Sequence, residues 1–428
     1  MSNTTLPSIQ AQWVREFLGG PIPSESETVC QPCVLLSAAH GRDGTWNIHP
    51  RTKCCSYHPD LFNFQVGNVL NETERGMAQA RAVMEERVNA LFMATPLLLK
   101  KPPVYRLLYD RATYMGCSLR LCCPYYVEDS AGGRCGIWDH RNATCATWFC
   151  KHTRGQVGFT FWREAMEPLL KSLERALAFW CLTQLRLPEE NLKRTMEAAD
   201  CGIPAKFASS LLEETGDPAA HFALWGPWVG REAEFYCECG RRVSALSPWD
   251  VLAIGGPEAA LYLRLARKAY RALCSTRLPR TVCPGRFEVH PLADGRVQVV
   301  GYSCYDPIAV PAVIIELLSY FEGRTVNEAL RAMRRMTGID MEPKLIRKLL
   351  DFGILVEAKR PGLFARRIGT RGRNPKIAQT RRVRLKAEAL LHLPGMVPPE
   401  PRPAWNEEDQ RTKAIPRADP RRVRRCRR

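Results

Sequence analysis

The segment GRCGIWDHRNATCATWFC, Gly133 to Cys150, spaces three cysteines through an aromatic, basic stretch soon after Cys117, Cys122 and Cys123. Upstream stand the C-x-x-C pair Cys30 and Cys33 and the adjacent Cys54 and Cys55, so ten of the eighteen cysteines fall between residues 30 and 150. Thiolates crowd in this way to hold a soft metal or an iron–sulfur cluster. Disulfides would need an oxidising compartment. The first residues, MSNTTLPSIQAQWVREF, lack the basic start, apolar stretch and small-residue cleavage site of a secretory signal, so the expectation is a cytoplasmic protein with reduced thiols. The alternative is structural: free cysteine also serves as a small buried hydrophobe.

Other chemistries lack their signatures. Cys30-Gln31-Pro32-Cys33 has no histidine after it, which excludes covalent haem attachment, and no strand-then-helix context makes it a redox pair. There is no G-x-x-x-x-G-K-[ST], no G-x-G-x-x-G after a strand and no C-x-x-x-C-x-x-C run. Cys237 and Cys239, with Cys274 and Cys283 downstream, read as buried thiols, with a second metal site as the alternative.

The scaffold must be large enough to hold this constellation. At 428 residues, 45% hydrophobic and 25% charged, the chain can bury two or three cores. Its most apolar stretch, near Ala176 to Leu187, is broken by Thr183, Gln184 and Arg186 and falls short of the ~20 residues that span a bilayer, so no membrane partner is expected. Most of the +18 net charge sits at one end. Lys359 to Arg428 holds 21 Lys or Arg against 6 Asp or Glu, leaving the body nearly neutral. This stretch is also rich in proline, so it is expected to be disordered, with Val383 to Leu391 its one potential helix. Such a tail attracts nucleic acid or another anionic surface without specificity, or merely aids solubility.

Periodicity divides the rest into three zones, giving an expected fold class of α+β, mostly helical. Residues 1–157 form a cysteine-rich metal or iron–sulfur domain, interrupted by a helix-like run from Glu72 to Ala94. Residues 158–284 form a helical middle region, in which Phe161 to Leu185 puts Met166, Leu169, Leu170, Leu173, Leu177 and Trp180 on one face and Pro257 starts a helix to about Cys274. Residues 285–357 change character. Phe287–His290 and Val297–Tyr302 read as a hairpin turning at Asp294-Gly295. Helices are expected over Ala309–Phe321, Val326–Thr337 and Pro343–Phe352, the second with a Thr325/Glu328 capping box, and a short strand over Ile354–Glu357. This is the outline of a small winged-helix-like module. Residues 358–428 are the basic disordered tail.

The module resembles the PqqD-like domain in Glu322-Gly323-Arg324-Thr325 after an apolar helix, a second helix, and a third leading into Gly353-Ile354-Leu355. That resemblance implies a peptide or protein partner, since PqqD-like domains bind leader segments of precursor peptides by strand addition, here at an open edge of the hairpin beside the third helix. The cysteine zone resembles the YkgJ-like zinc- or iron-chelating domain through Cys123-Pro124-Tyr125, then Cys135, Ile137, Trp138, Arg141 and Cys145 in a G-x-C-x-I-W-x-x-R-x-x-x-C pattern, then Cys150. Asn142 stands where the family has proline, and twenty residues separate Cys33 from Cys54 where its opening is compact. The implied ligands are Cys54, Cys55, Cys123, Cys135, Cys145 and Cys150, with Cys30 and Cys33 as further candidates, and the implied cofactor is an iron–sulfur cluster or Zn2+. Cys135, Cys145 and Cys150 would converge with sulfurs about 4 Å apart. His58, His140 and His152 lie near enough in sequence to substitute. Arg141 would meet cluster charge or backbone, and Trp138 and Trp148 would shield sulfur.

Two readings of function follow: a cysteine-ligated iron–sulfur or zinc protein that modifies, or assists modification of, a peptide or protein docked on residues 285–357; or a metal-stabilised nucleic-acid-binding or regulatory protein using that module, with Arg331, Arg334, Arg335, Lys344, Arg347 and Lys348 on its last two helices, and the basic tail.

Overall fold

The computed structural model describes residues 6–25, 48–49, 51–90, 93–112, 115–128, 133–200, 218–292, 294–358, 383–385 and 391–392. Helices dominate, and strand is confined to ladders of two to five residues. The body is built on α1 (Ser8–Leu18), α2 (Asn63–Asn71), α3 (Ala78–Asn89), α4 (Glu167–Gln184), α5 (Glu232–Ser244) and α6 (Pro248–Cys274). The expected long helix from Glu72 is shorter: a 3-10 turn at Arg75–Met77 leads into α3, and α2 precedes both.

Helix α4 forms because Leu169, Leu170, Leu173, Leu177 and Ala178 recur at helical spacing and are all fully buried. A π-helical segment, Thr160–Met166, precedes it, burying Phe161, Trp162, Ala165 and Met166. As expected, Pro257 opens a helical stretch to Cys274: α6 is two helices merged across a kink at Gly256, which takes φ 63° and ψ −155°, where an L side chain would be strained. Helices α2 and α5 cross backbone to backbone. A Cβ on Gly67 would stand 1.7 Å from the Tyr236 carbonyl oxygen, so only glycine permits the approach.

One hydrophobic core runs from Leu6 to Leu273 and takes residues from both of the first two expected zones, so residue 157 does not divide cores. A second core spans Val282 to Leu355. It is the module. No helix among the described residues is long and apolar enough to cross a membrane.

Two short ladders brace the body: β1 (Leu61–Phe62) with β2 (Leu98–Leu99), and β3 (Tyr126–Val127) with β4 (Arg134–Cys135), both antiparallel. In the module, β5 (Val282–Pro284) pairs with the closing strand Leu355–Glu357, while β6 (Glu288–Pro291), β7 (Arg296–Val300) and β8 (Ile308–Pro311) form an antiparallel sheet in that order. The helices are α7 (Ala312–Leu317), α8 (Val326–Thr337) and α9 (Pro343–Asp351), the first extended by a 3-10 turn to Phe321. Thr325 and Glu328 make the capping box the spacing called for.

Three expectations are corrected here. Residues 309–311 are strand rather than helix: Pro311 pushes the residue before it towards extended backbone, and Ile308, Ala309 and Val310 are a buried apolar run that strand and helix accommodate equally. Of the expected helix Val383–Leu391, the described residues 383–385 and 391 are strand. Here β11 (Val383–Leu385) lies parallel to β9 (Ile339–Met341), and β12 (Leu391–His392) lies antiparallel to β8. The tail is thus structured over these five residues, because the module's strand edges offer it backbone partners; the remainder of 359–428 lies outside the described residues.

Candidate metal centre

A cavity of about 400 Å³ is lined by Cys54, Cys55, Cys123, Cys135, Cys145 and Cys150. These are the six thiols that the motif resemblance implies. Cys30 and Cys33 lie outside the described residues.

Each thiol is positioned by local backbone chemistry. Cys54 and Cys55 ride on the turn Arg51–Ser56, where Thr52 Oγ1 donates to the carbonyls of His49 and Gly116, both at 3.1 Å, and Ser56 Oγ accepts from the Gly116 N–H at 2.8 Å. The Cys123 N–H donates to the Cys55 carbonyl at 2.8 Å, which fixes one cysteine group against the other. Cys135 is carried by β4 opposite Tyr126. Cys145 sits in the short helix Ala143–Ala146, and Asn142 caps it by accepting from the Cys145 N–H at 3.0 Å. The departure from the family's proline therefore supplies a good N-cap.

Five of the six thiols act on one another electrostatically. Cys55 feels the charges of Cys54, Cys135 and Cys123, and Cys145 those of Cys135 and Cys54. Cys150 is instead packed with Cys54, Met115, Cys304 and Tyr305 around Ile48. Among the described residues no group of three or more His, Cys, Asp or Glu is arranged to hold one ion, so the expected convergence of Cys135, Cys145 and Cys150 at single-ion spacing is not found. All fourteen described cysteines are free thiols. Burial and neighbouring cysteines push the Cys145 thiol up to about 12 and Cys123 well above its ordinary value, while Cys54 hydrogen-bonding and burial do the same for Cys55. In this form Cys55, Cys123 and Cys145 are held as thiols, and a bound cation would have to displace their protons.

The wall of the cavity is cationic and aromatic. Lys53, Arg134, Arg141, Arg163 and Lys171 line it against one carboxylate, Glu167, which pairs with Arg163 at 2.6 Å and Lys171 at 2.7 Å. Buried Lys53 takes a positive φ of 50° and donates from Nζ to the Gly133 carbonyl at 3.2 Å, tying the Cys54–Cys55 turn to the start of β4. Arg141 stacks 3.5 Å from the Trp138 ring and donates to the Trp138 carbonyl at 2.9 Å and the Cys145 carbonyl at 3.4 Å. Trp148 carries Arg163 over its ring at 4.8 Å.

None of the three histidines lines the cavity. His58 is buried between Tyr105 and Tyr125, and burial together with Arg87 pushes it down to about 2. His140 faces Glu72 at 3.5 Å, and His152 meets Tyr302 and Asp306 of the module. Cys237 and Cys239 do not make a second site among the described residues: Cys239 is buried against Cys181, and Cys274 is exposed.

One residue behind the site went unanticipated. Glu174, on the buried face of α4, accepts from Gln10 Nε2 at 2.8 Å and Gln65 Nε2 at 2.9 Å, and also from the Ala143 backbone. It joins α1, α2 and the Cys145 helix to α4. The available signal was an acid inside the apolar stripe Leu170, Leu173, Leu177. Burial pushes this carboxyl up from 4.5 to about 8. An acid raised in the folded state favours folding while protonated, so that contribution is lost as pH rises from about 4.5 to 8. In metal-free protein, unfolding free energy should therefore fall over that window, by on the order of a few kcal/mol, and Glu174→Gln should flatten the slope. Parallel slopes in denaturant titrations at pH 5 and pH 8 would contradict this account.

The module is clamped to the body just beyond Cys150. Arg154 grips Asp351 of α9 through two hydrogen bonds, at 2.6 and 2.9 Å, and donates to the Ser275 carbonyl at 3.0 Å. The next residue, Gly155, takes φ 49°, and a Cβ there would stand 2.6 Å from the Asp351 carbonyl oxygen. His152 N–H donates to Asp306 Oδ2 at 3.1 Å, and buried Glu25 accepts from Thr153 N–H at 2.6 Å and Trp162 Nε1 at 2.9 Å.

Comparisons of this chain with protein-family models, curated proteins and solved structures find no match.

Proposed function

We propose that this protein is a cysteine-ligated iron–sulfur protein whose residues 285–357, read as a winged-helix-like and PqqD-like module, hold a peptide or protein near that centre. The observation that carries the first half is the lining of one cavity by six thiols from separated parts of the chain, without a three-donor group at single-ion spacing. Thiolates around one zinc lie about 2.3 Å from it and hence ~4 Å from each other, whereas a cluster spreads its ligands over several metals and a larger volume. A volume lined by sulfur fits the cluster better than the ion.

The rest of the wall suits an anionic cluster. Cationic side chains outnumber carboxylates, and the Trp148 Nε1–H is buried without an acceptor among the described residues, available to a sulfur. Cys54, Cys55, Cys123, Cys135 and Cys145 act on one another, and Cys150 joins them through the cluster it shares with Cys54 around Ile48. Such a cluster would supply one-electron or Lewis-acid chemistry when bound. Lys53 and Arg141 hold the cysteine-bearing turns through backbone carbonyls, and Tyr57, Trp138 and Trp148 limit water in the cavity.

The second half is supported by β6, which is an edge strand of the module's sheet among the described residues, and by the module's clamp to the body within a few residues of Cys150. The nucleic-acid alternative gains nothing comparable. Arg347, one of its basic residues, turns inward to Asp351 at 3.0 Å. Anaerobic purification followed by iron and acid-labile sulfide analysis, with a visible spectrum, tests the proposal: a brown protein with matched iron and sulfide is expected, and a colourless protein carrying zinc alone would sink it.

A further inference from the structure

Two strand edges of the module carry the same visitor. β12 pairs antiparallel with β8, placing Leu391 opposite Ala309 and His392 opposite Ile308, and β11 pairs parallel with β9 through Val383–Ile339, Arg384–Asp340 and Leu385–Met341. The sheet order β12-β8-β7-β6 makes β8 an edge strand apart from this contact. Ile308, Ala309 and Val310 are buried, so the edge is rooted in the module's core rather than fraying from it. Both visiting strands come from one stretch of the sequence, five residues apart. Edge strands expose unpaired N–H and C=O groups that pair readily with any extended chain, and a covalently attached segment arrives at high effective concentration.

We propose that the β8 and β9 edges form a docking surface for extended peptide, that residues 383–385 and 391–392 of this chain are its resident occupants, and that a substrate peptide binds there only by displacing them. Peptide affinity would then be lowered by the fraction of molecules whose edges are open. The displacement clause rests on the peptide-docking reading of the module; the occupancy does not.

The test uses the full chain, a Val383→Pro/Leu391→Pro variant, and a full chain with a protease site inserted between residues 359 and 382. Proline removes an N–H and cannot continue a central ladder. Hydrogen exchange at Ile308–Val310 and Ile339–Met341 should speed up at least tenfold in the proline variant while Arg296–Val300 keeps its protection. Cleaving the folded full chain and diluting away the fragment should give the same change, which keeps the test valid should the prolines impair folding. A fluorescein-labelled peptide of sequence VRLKAEALLH should then bind the cleaved protein at least tenfold more tightly than the uncut chain, and a scrambled peptide should not. Unchanged exchange after cleavage, or equal binding of labelled and scrambled peptides, would overturn the proposal. Iron content of the same samples separates the two readings: loss of the iron result with retained peptide competition sinks only the cluster.

Discussion

If the cavity holds the proposed iron–sulfur cluster, replacing Cys145 with serine is expected to strip most of the iron from the protein and to lower its melting temperature in the same step. Cys145 is held by the Asn142 cap deep in the cavity and feels both Cys135 and Cys54, so no neighbouring thiol can take its place without moving the Ala143–Ala146 helix. Where metal binding organises a site, its free energy is folding free energy. A loss of several kcal/mol in a chain of this size corresponds to a fall of roughly 5 °C. Cys122, half-exposed and outside the cavity lining, supplies the control: Cys122→Ser should keep full iron and sulfide content. Wild-type metal stoichiometry in Cys145→Ser would remove Cys145 from the ligand set.

The second large effect should come from the clamp. Arg154→Ala leaves the Asp351 carboxylate, whose side chain is only 10% exposed, without its two-pronged partner, and strips a donor from the Ser275 carbonyl. Removing one member of a buried pair typically costs ~3–5 kcal/mol. Arg347 remains 3.0 Å from Asp351, so about 2–3 kcal/mol is expected here, read as a shift of the denaturant midpoint. Adding Asp351→Asn should restore part of the loss, because it removes the stranded charge. No recovery in the double variant would mean that the clamp acts through packing alone.

Much of the candidate site was legible because its signal is local. Cysteine spacing, the W-x-x-R pattern and the apolar stripe of α4 all lie within a few turns of chain, and the six cysteines singled out in sequence do line one cavity. Glu174 was legible only as an oddity in a stripe, since its partners Gln10 and Gln65 come from distant helices. The histidines show the opposite error: nearness in sequence to cysteines suggested ligands, but His58, His140 and His152 all lie outside the cavity lining, against Arg87, Glu72 and Tyr302.

By itself the sequence determined the helical character of the body, the Thr325 cap, the position of the second core and the identity of the thiols, because short-range periodicity and capping chemistry dictate those. Only the tertiary structure decided that residues on both sides of 157 share one core, that Cys150 packs with Cys54 and Cys304 around Ile48, that Arg154 clamps the module, and that residues 383–385 and 391–392 are strands. Each of these depends on which distant surfaces meet. A strand edge or a buried carboxylate takes whichever partner the packed chain brings to it, and local propensity carries no record of that partner.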